Sequence, residues 1–286
     1  MVRDLVRGFL KGKSAQRKKK KRAPKKIRKE TKHHGSHRWH TLLKRTPHRT
    51  SSHRKNGEIA PTGNKELDAL IGGGLVRNSI NLIAGGPGTG KTIFSVQFLV
   101  EGILRYHENG LYLTFEENKE KFYKDMLSLG WDLAKLEEQG KFVFLEYKPE
   151  QVKNLIERGG GIIEDIIREG NIKRIVIDSI TSFALLYEDA LEKKESALNL
   201  FEMIGRWGCT ALLCSQDTSL NDDLVIAALE FEVDSIILLY NIKHRGRRKR
   251  AIEILKMRGK EIPNKTMRIK IYKGGVKIYP DKIVDF

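Results

Sequence analysis

Cysteine is almost absent from this sequence: 286 residues hold two, Cys209 and Cys214. That scarcity argues against a disulfide-stapled secreted domain and against a cysteine-built metal or redox centre, and it fits a reducing cytoplasm. Both cysteines sit in one apolar stretch at an odd spacing. A strand there turns them to opposite faces, so they are expected to be buried and unbridged. No run approaches the ~18 apolar residues that cross a bilayer. The basic amino-terminal stretch is not followed by the apolar region a secretory signal needs. Acidic residues are the third scarcity, and a local one. Residues 1–57 hold 2 of the 36 Asp and Glu but 21 of the 54 Lys and Arg. The remaining 33 basic and 34 acidic residues nearly cancel, so the net charge of +18 belongs to the tail.

That tail lacks sustained apolar periodicity. Lys18–Arg22 is an unbroken basic run, and six histidines, from His33 to His53, are scattered among Ser, Thr and Arg. Such a segment cannot bury enough apolar surface to offset its ordering entropy, so it is expected to be disordered in isolation. Leu5, Val6, Phe9 and Leu10 are compatible with one short helical face. The histidines lack zinc-finger spacing and cysteine partners. Three readings of residues 1–57 stand open: an electrostatic arm for nucleic acid or an acidic surface, a passive solvated arm, or a segment upstream of the true start.

From Glu58 to Phe286 the pattern changes to a folded domain. Ile80–Ala84, Leu111–Phe115, Phe142–Leu145, Ile175–Ile177 and Thr210–Cys214 read as buried strands. Lys91–Tyr106, Lys119–Leu129, Gln151–Arg168 and Glu192–Arg206 read as helices between them, the third broken at Gly159–Gly161. This alternation predicts an α/β domain with a mostly parallel, twisted sheet and helices on both faces. Ser235–Tyr240, Ala251–Lys256, Met267–Ile271 and Val276–Tyr279 follow with no room for long helices. They predict an antiparallel extension at one edge.

The chemistry concentrates at Gly85-Gly86-Pro87-Gly88-Thr89-Gly90-Lys91-Thr92, a complete G-x-x-x-x-G-K-[ST] between a strand and a helix. Glycines let several backbone N–H groups point at one phosphate, and the helix N-terminus adds partial positive charge. Lys91 brings a full charge to the β- and γ-phosphates, and the Thr92 hydroxyl suits Mg²⁺. Asp178 ends the apolar strand of Arg174–Ile177, facing the crevice where open α/β sheets bind ligands, and is the second Mg²⁺ candidate. Glu116 and Glu117 end another strand at the same edge and are candidates to orient water. A plainer reading makes them the first turn of a helix. Gln216, after Ser215, ends a further strand, where its amide can sense a γ-phosphate. Lys256 and Arg258 by themselves are only a charged strand end, although Arg suits bidentate phosphate contact.

These residues resemble the KaiC/RecA-like P-loop ATPases, and most closely the single-domain archaeal KaiC-like proteins. The resemblance runs from about Pro61 to Asp285. Its landmarks are Pro61 to Gly63, Leu67-Asp68, Gly72 to Leu75, the Gly85–Thr92 loop, Glu116-Glu117, Leu129 to Asp132, Val176 to Ser179 and Lys256 to Gly259. It implies a RecA-like core that binds ATP and Mg²⁺ and assembles as a homo-oligomer, usually a hexamer, with ATP at subunit interfaces. It implies that Glu116 and Glu117 support hydrolysis. It implies that Lys256 and Arg258 reach the γ-phosphate of a neighbouring subunit, an arginine finger in trans. Ser215-Gln216 resembles the motif that couples nucleotide state to a mobile loop, here Asp217–Ala228. Three departures matter. There is room for one such domain, so the autophosphorylation of two-domain clock members does not carry over. Lys260 to Pro263 replaces the small polar residues and His that often follow the finger. The Asp217–Ala228 loop has Asp222-Asp223 and no basic residue, which disfavours strand exchange.

The leading expectation is therefore a Mg²⁺-dependent ATPase acting as an oligomeric conformational switch. The alternatives are an ATP-regulated, DNA-binding accessory factor of the recombinase-paralogue kind and a scaffold that binds ATP without turning it over. Abundant Lys, Glu and Ile are compatible with a thermophilic source.

Overall fold

The computed structural model describes residues 59–148, 151, 161–184, 186, 187, 189–216, 232–244 and 246–285. The basic segment 1–57, most of the expected Gln151–Arg168 helix before Gly161 and the loop Asp217–Ala228 lie outside the described residues. Eleven strands are described, nine of them in one sheet. Six run parallel: β3 (Ile80–Ala84), β4 (Asn109–Thr114), β5 (Phe142–Glu146), β6 (Ile172–Asp178), β7 (Thr210–Ser215) and β8 (Ser235–His244). β9 (Arg247–Met257), β10 (Met267–Tyr272) and β11 (Gly275–Ile283) extend the sheet antiparallel past β8. The strand order is β11-β10-β9-β8-β3-β7-β6-β4-β5. Two short strands, β1 (Ile59–Ala60) and β2 (Leu75–Val76), form a separate ribbon.

The parallel strands are apolar on both faces, because helices cover both. In β6, Ile175 and Ile177 face one core while Val176 faces the other. In β7, Leu213 and Leu212 divide the same way. The first core is closed by α5 (Gly161–Glu169) and α7 (Ala190–Trp207), through Ile166, Ile167, Leu200 and Phe201. The second is closed by α1 (Lys65–Leu70), α2 (Lys91–Tyr106), α3 (Lys119–Ser128) and α4 (Leu133–Glu138). Here Phe94, Phe98, Leu99 and Ile103 line the buried stripe of α2. Each such side chain contributes about 1.5–3 kcal/mol on burial. The two cysteines divide between the cores as their spacing requires and are free.

Side-chain caps start four helices: Asn64 accepts from Leu67 N at 3.0 Å at the start of α1, and three more follow. Asn118 accepts from Lys121 N at 3.3 Å, Asp132 from Lys135 N at 3.0 Å, and Asp189 from Leu191 N at 2.8 Å. α6 (Ile180–Ala184) and α4 are too short to leave a clear period in the sequence. β8 and β9 run well beyond their apolar stretches. Cross-strand pairing continues to His244↔Arg247, so the backbone ladder carries the hairpin where side chains alone gave no sign.

Candidate functional site

In register, Thr114 lies beside Asp178, Asp178 beside Cys214, and Ala84 beside Ser215. The carboxyl ends of β3, β4, β6 and β7 thus meet at one edge, and the segments carrying sequence candidates leave from it. The glycine-rich loop joins β3 to α2. Its entry is pinned by Gly85 N donating to Ser215 O at 3.1 Å. A Cβ on Gly85 would strike the Leu239 carbonyl. Gly90, the N-cap of α2, has φ 105°, a conformation that costs other residues strain. Thr89 Oγ1 donates to Gly86 O at 2.9 Å and staples the turn. Pro87 and Gly88 form its tip. The Lys91 ammonium donates to Gly85 O at 2.5 Å and Gly86 O at 3.2 Å. Burial pulls that ammonium below its ordinary value, while the charges of Asp178 and Glu116 oppose the shift.

The two Mg²⁺ candidates, Thr92 and Asp178, lie together: Thr92 Oγ1 donates to Asp178 Oδ2 at 3.0 Å. Tyr112 OH donates to the same oxygen at 2.6 Å. Burial raises the Asp178 carboxyl above its ordinary range, and the bonds from Tyr112 and Thr92 and the charge of Lys91 partly offset this. Among the described residues no three His, Cys, Asp or Glu side chains assemble into a metal cage. A hydroxyl and a carboxylate at a helix N-terminus nevertheless fit Mg²⁺, which takes most of its oxygen ligands from phosphates and water.

Glu116 and Glu117 follow β4, and the backbone N–H of each donates to Thr114 Oγ1. Their side chains diverge in setting. Glu116 is exposed yet held: Ser179 Oγ donates to Oε1 at 3.1 Å, Ser182 Oγ donates to the same oxygen, and Gln216 Nε2 donates to Oε2 at 2.9 Å. Gln216 is fixed in turn by its own N–H donating to Thr181 Oγ1 at 2.9 Å. Glu117 is half-buried, and its carboxyl is raised first by burial and then by the charge of Asp178.

Lys256 and Arg258 are not brought to this edge. β9 runs antiparallel to β8, so its carboxyl end lies where β3 begins. Arg258 N donates to Asp234 O at 2.8 Å, and Asp234 Oδ2 accepts from Ile80 N at 3.0 Å. The five residues of β3 separate that point from Gly85, about 16 Å at ~3.3 Å per residue. Lys256 Nζ donates to Val233 O at 3.0 Å on the same side. Sequence reasoning missed three neighbours of the loop. Tyr112 was read only as a core residue of its strand. Asn241 and Arg250, from the β8–β9 hairpin, both donate to Gly88 O, Arg250 Nε at 2.8 Å. The cross-strand pair Asn241↔Arg250 is the signal that brings them there, and it exists only once β8 and β9 are paired.

A family model described as "ATPase: KaiC" matches residues 60–283. UPF0273 protein MJ1359 of Methanocaldococcus jannaschii is 31% identical over 236 residues, covering 78% of this chain and 97% of its own length. The circadian clock oscillator protein KaiC of Synechococcus elongatus is 31% identical over 242 residues, 82% of this chain. The chain spans only 46% of that longer protein. Among solved structures, the KaiC-like protein PH0186 of Pyrococcus horikoshii matches with a TM-score of 0.68 at 31% identity, over 78% of this chain and 99% of that one. The RecA-like sheet, the loop that enters α2 and the match across nearly all described residues agree, and the chain belongs to the KaiC family of ATPases.

Proposed function

We propose that this chain binds ATP with Mg²⁺ on residues 85–92 and hydrolyses it, so that nucleotide state sets the conformation of a homo-oligomer. The observation that carries the reading is the 3.0 Å contact of Thr92 with Asp178 at the start of α2, beside the Lys91 ammonium. The backbone N–H groups of the loop and the N-terminus of α2 bind the phosphates. Lys91 adds a full charge. Thr92 and Asp178 would hold Mg²⁺, which when bound would neutralise charge on the phosphate oxygens. Glu117 is suited to accept a proton from attacking water, because its environment already raises its affinity for one. Glu116 is better suited to relay. Its carboxylate joins β4 to Ser179 and Ser182 after β6 and to Gln216 after β7, so displacement at one strand end reaches the other two.

Lys256 and Arg258 serve a second subunit in this reading. Their position a full strand length from their own loop supports a site completed across an interface. The test is ATP turnover by Glu116→Gln/Glu117→Gln. Turnover is expected to fall by about 10²–10⁴, with ATP affinity within a few-fold of wild type. Unchanged turnover would remove both carboxylates from the mechanism.

A further inference from the structure

The antiparallel extension has two unlike faces. Met267, Ile269, Val276 and Ile278 point into the second core, and the helices packed on β11, α1 and α2, lie on that side. Buried bonds fix this docking: Gln97 Oε1 accepts from Val276 N at 2.8 Å, and Asn64 Nδ2 donates to Val276 O at 2.7 Å. The opposite face presents Arg268, Lys270 and Tyr272 from β10, and Lys277 and Tyr279 from β11, with Lys282 in the bulge that follows. Residues 268–282 hold five basic side chains against one acidic, Asp281. Lys270 and Lys277 are direct cross-strand partners. Like charges so placed destabilise a sheet unless something negative lies over them. Glu66 of α1 acts on Tyr279, yet no ion pair of the described residues includes Lys270 or Lys277, and Glu253 is engaged elsewhere. It accepts from Tyr240 OH at 2.8 Å and from Thr266 Oγ1 at 3.4 Å.

The aromatic rings complete the pattern. Tyr272 is 44% exposed. Its hydroxyl meets that of Tyr279 at 2.8 Å. Lys270 Nζ stands 6.0 Å from the Tyr272 ring centre, and Lys277 and Lys282 stand 5.8 and 5.2 Å from that of Tyr279. Beside them the turn 273–275 borders a shallow groove of about 350 Å³. One exposed ring, Tyr272, and one half-buried ring, Tyr279, interleaved with cations on a sheet face match what a flexible phosphodiester chain offers, π-faces alternating with anions at single-nucleotide spacing. A regular duplex buries its π-faces in the stack and would engage the cations alone.

We infer that the β10–β11 face is a binding surface for single-stranded nucleic acid. It lies on the side of β10 away from Ile271, the residue that packs against Gly90 of the phosphate loop, and it does not depend on ATP hydrolysis. The experiment uses the full chain with a fluorescent, photoreactive oligothymidylate at about 0.2 M salt, where purely ionic binding is weakened. Peptide mapping should place crosslinks within residues 268–282. Tyr272→Ala/Tyr279→Ala should weaken binding by roughly tenfold or more, and Tyr272→Phe/Tyr279→Phe should keep most of it. Lys270→Glu/Lys277→Glu should weaken binding and flatten its salt dependence. Crosslinks confined to other segments, with unchanged affinity in the Ala variant, would overturn the inference. So would a change in oligomer mass in the Ala variant without a change in affinity, which would make the face a contact between copies. Equal competition by duplex and single-stranded DNA would likewise remove the stacking role.

Discussion

Asp178 shows at the scale of one residue how a functional group works against the fold that holds it. Its carboxyl is raised above the ordinary 3.8, with burial the leading cause. The folded state therefore holds the proton more tightly than the unfolded state. The stabilising contribution is complete below the unfolded value and fades as pH rises through the folded one. Asp178→Asn keeps an acceptor for Thr92 and Tyr112 and removes the buried charge. The variant is expected to melt higher than wild type at neutral pH, by roughly 2–4 °C per kcal/mol recovered. The gap should narrow as pH is lowered towards 4. Its Mg²⁺-dependent ATP affinity should fall at least tenfold, or ~1.4 kcal/mol. Thermal melts from pH 4 to 8 and nucleotide titrations measure the two. Tyr112→Phe should do the reverse to stability, losing about 1.5–3 kcal/mol with the donor to that carboxylate, as denaturant unfolding would report. Lys91, Thr92 and Asp178 were legible in the sequence because short motifs carry them. Tyr112 was not. Its hydroxyl matters only through the pairing Tyr112↔Val176, which sets β4 beside the strand that ends in Asp178.

At the scale of elements, α2 was readable from its apolar period, and its most constrained position was not. Gly102 sits in this helix, where a change to Ala ordinarily adds about 1 kcal/mol. A Cβ there would overlap the guanidinium of Arg174. Arg174 is fully buried: it donates to Glu108 Oε2 at 2.6 Å and to the carbonyls of Pro61 and Phe98, and lies over the Phe98 ring. Gly102→Ala is therefore expected to destabilise by about 1–3 kcal/mol, the opposite sign to helix propensity, and urea unfolding would decide it. The order of the five parallel strands before β8 and of the longer helices followed from periodicity, and the antiparallel extension from the lack of room for helices after Ser235. The short helices α1, α4 and α6 left no period to read. The length of the β8–β9 hairpin was not legible either, since its outer half is polar and held by backbone pairing. The charge balance of the body likewise concealed a basic face on β10 and β11, because a near-neutral sum does not reveal where the signs are gathered.

For the molecule as a whole, Arg258 and the phosphate loop occupy opposite edges of one sheet, and this predicts complementation. Under the proposed interfacial site, a variant with Lys91→Ala retains Arg258 for its neighbour, and one with Arg258→Ala retains an intact loop. Each alone is expected to be nearly inactive, and an equimolar mixture should regain a measurable share of wild-type turnover. A mixture as inactive as its parts would confine the site to one chain. The sheet order has a further consequence, in time rather than space. β3 is held between β7 and β8, partners that reach it across 130 and 154 residues of sequence, through Asn81 to Ala211 and Ser235. A ribosome that has just released the glycine-rich loop has made neither neighbour. Short-range helices can close early, while pairing at this range waits for the chain and slows folding. The phosphate loop is thus among the first functional segments synthesised and among the last to acquire its shape, and a nascent chain stalled before β8 would carry the whole motif yet have no nucleotide pocket.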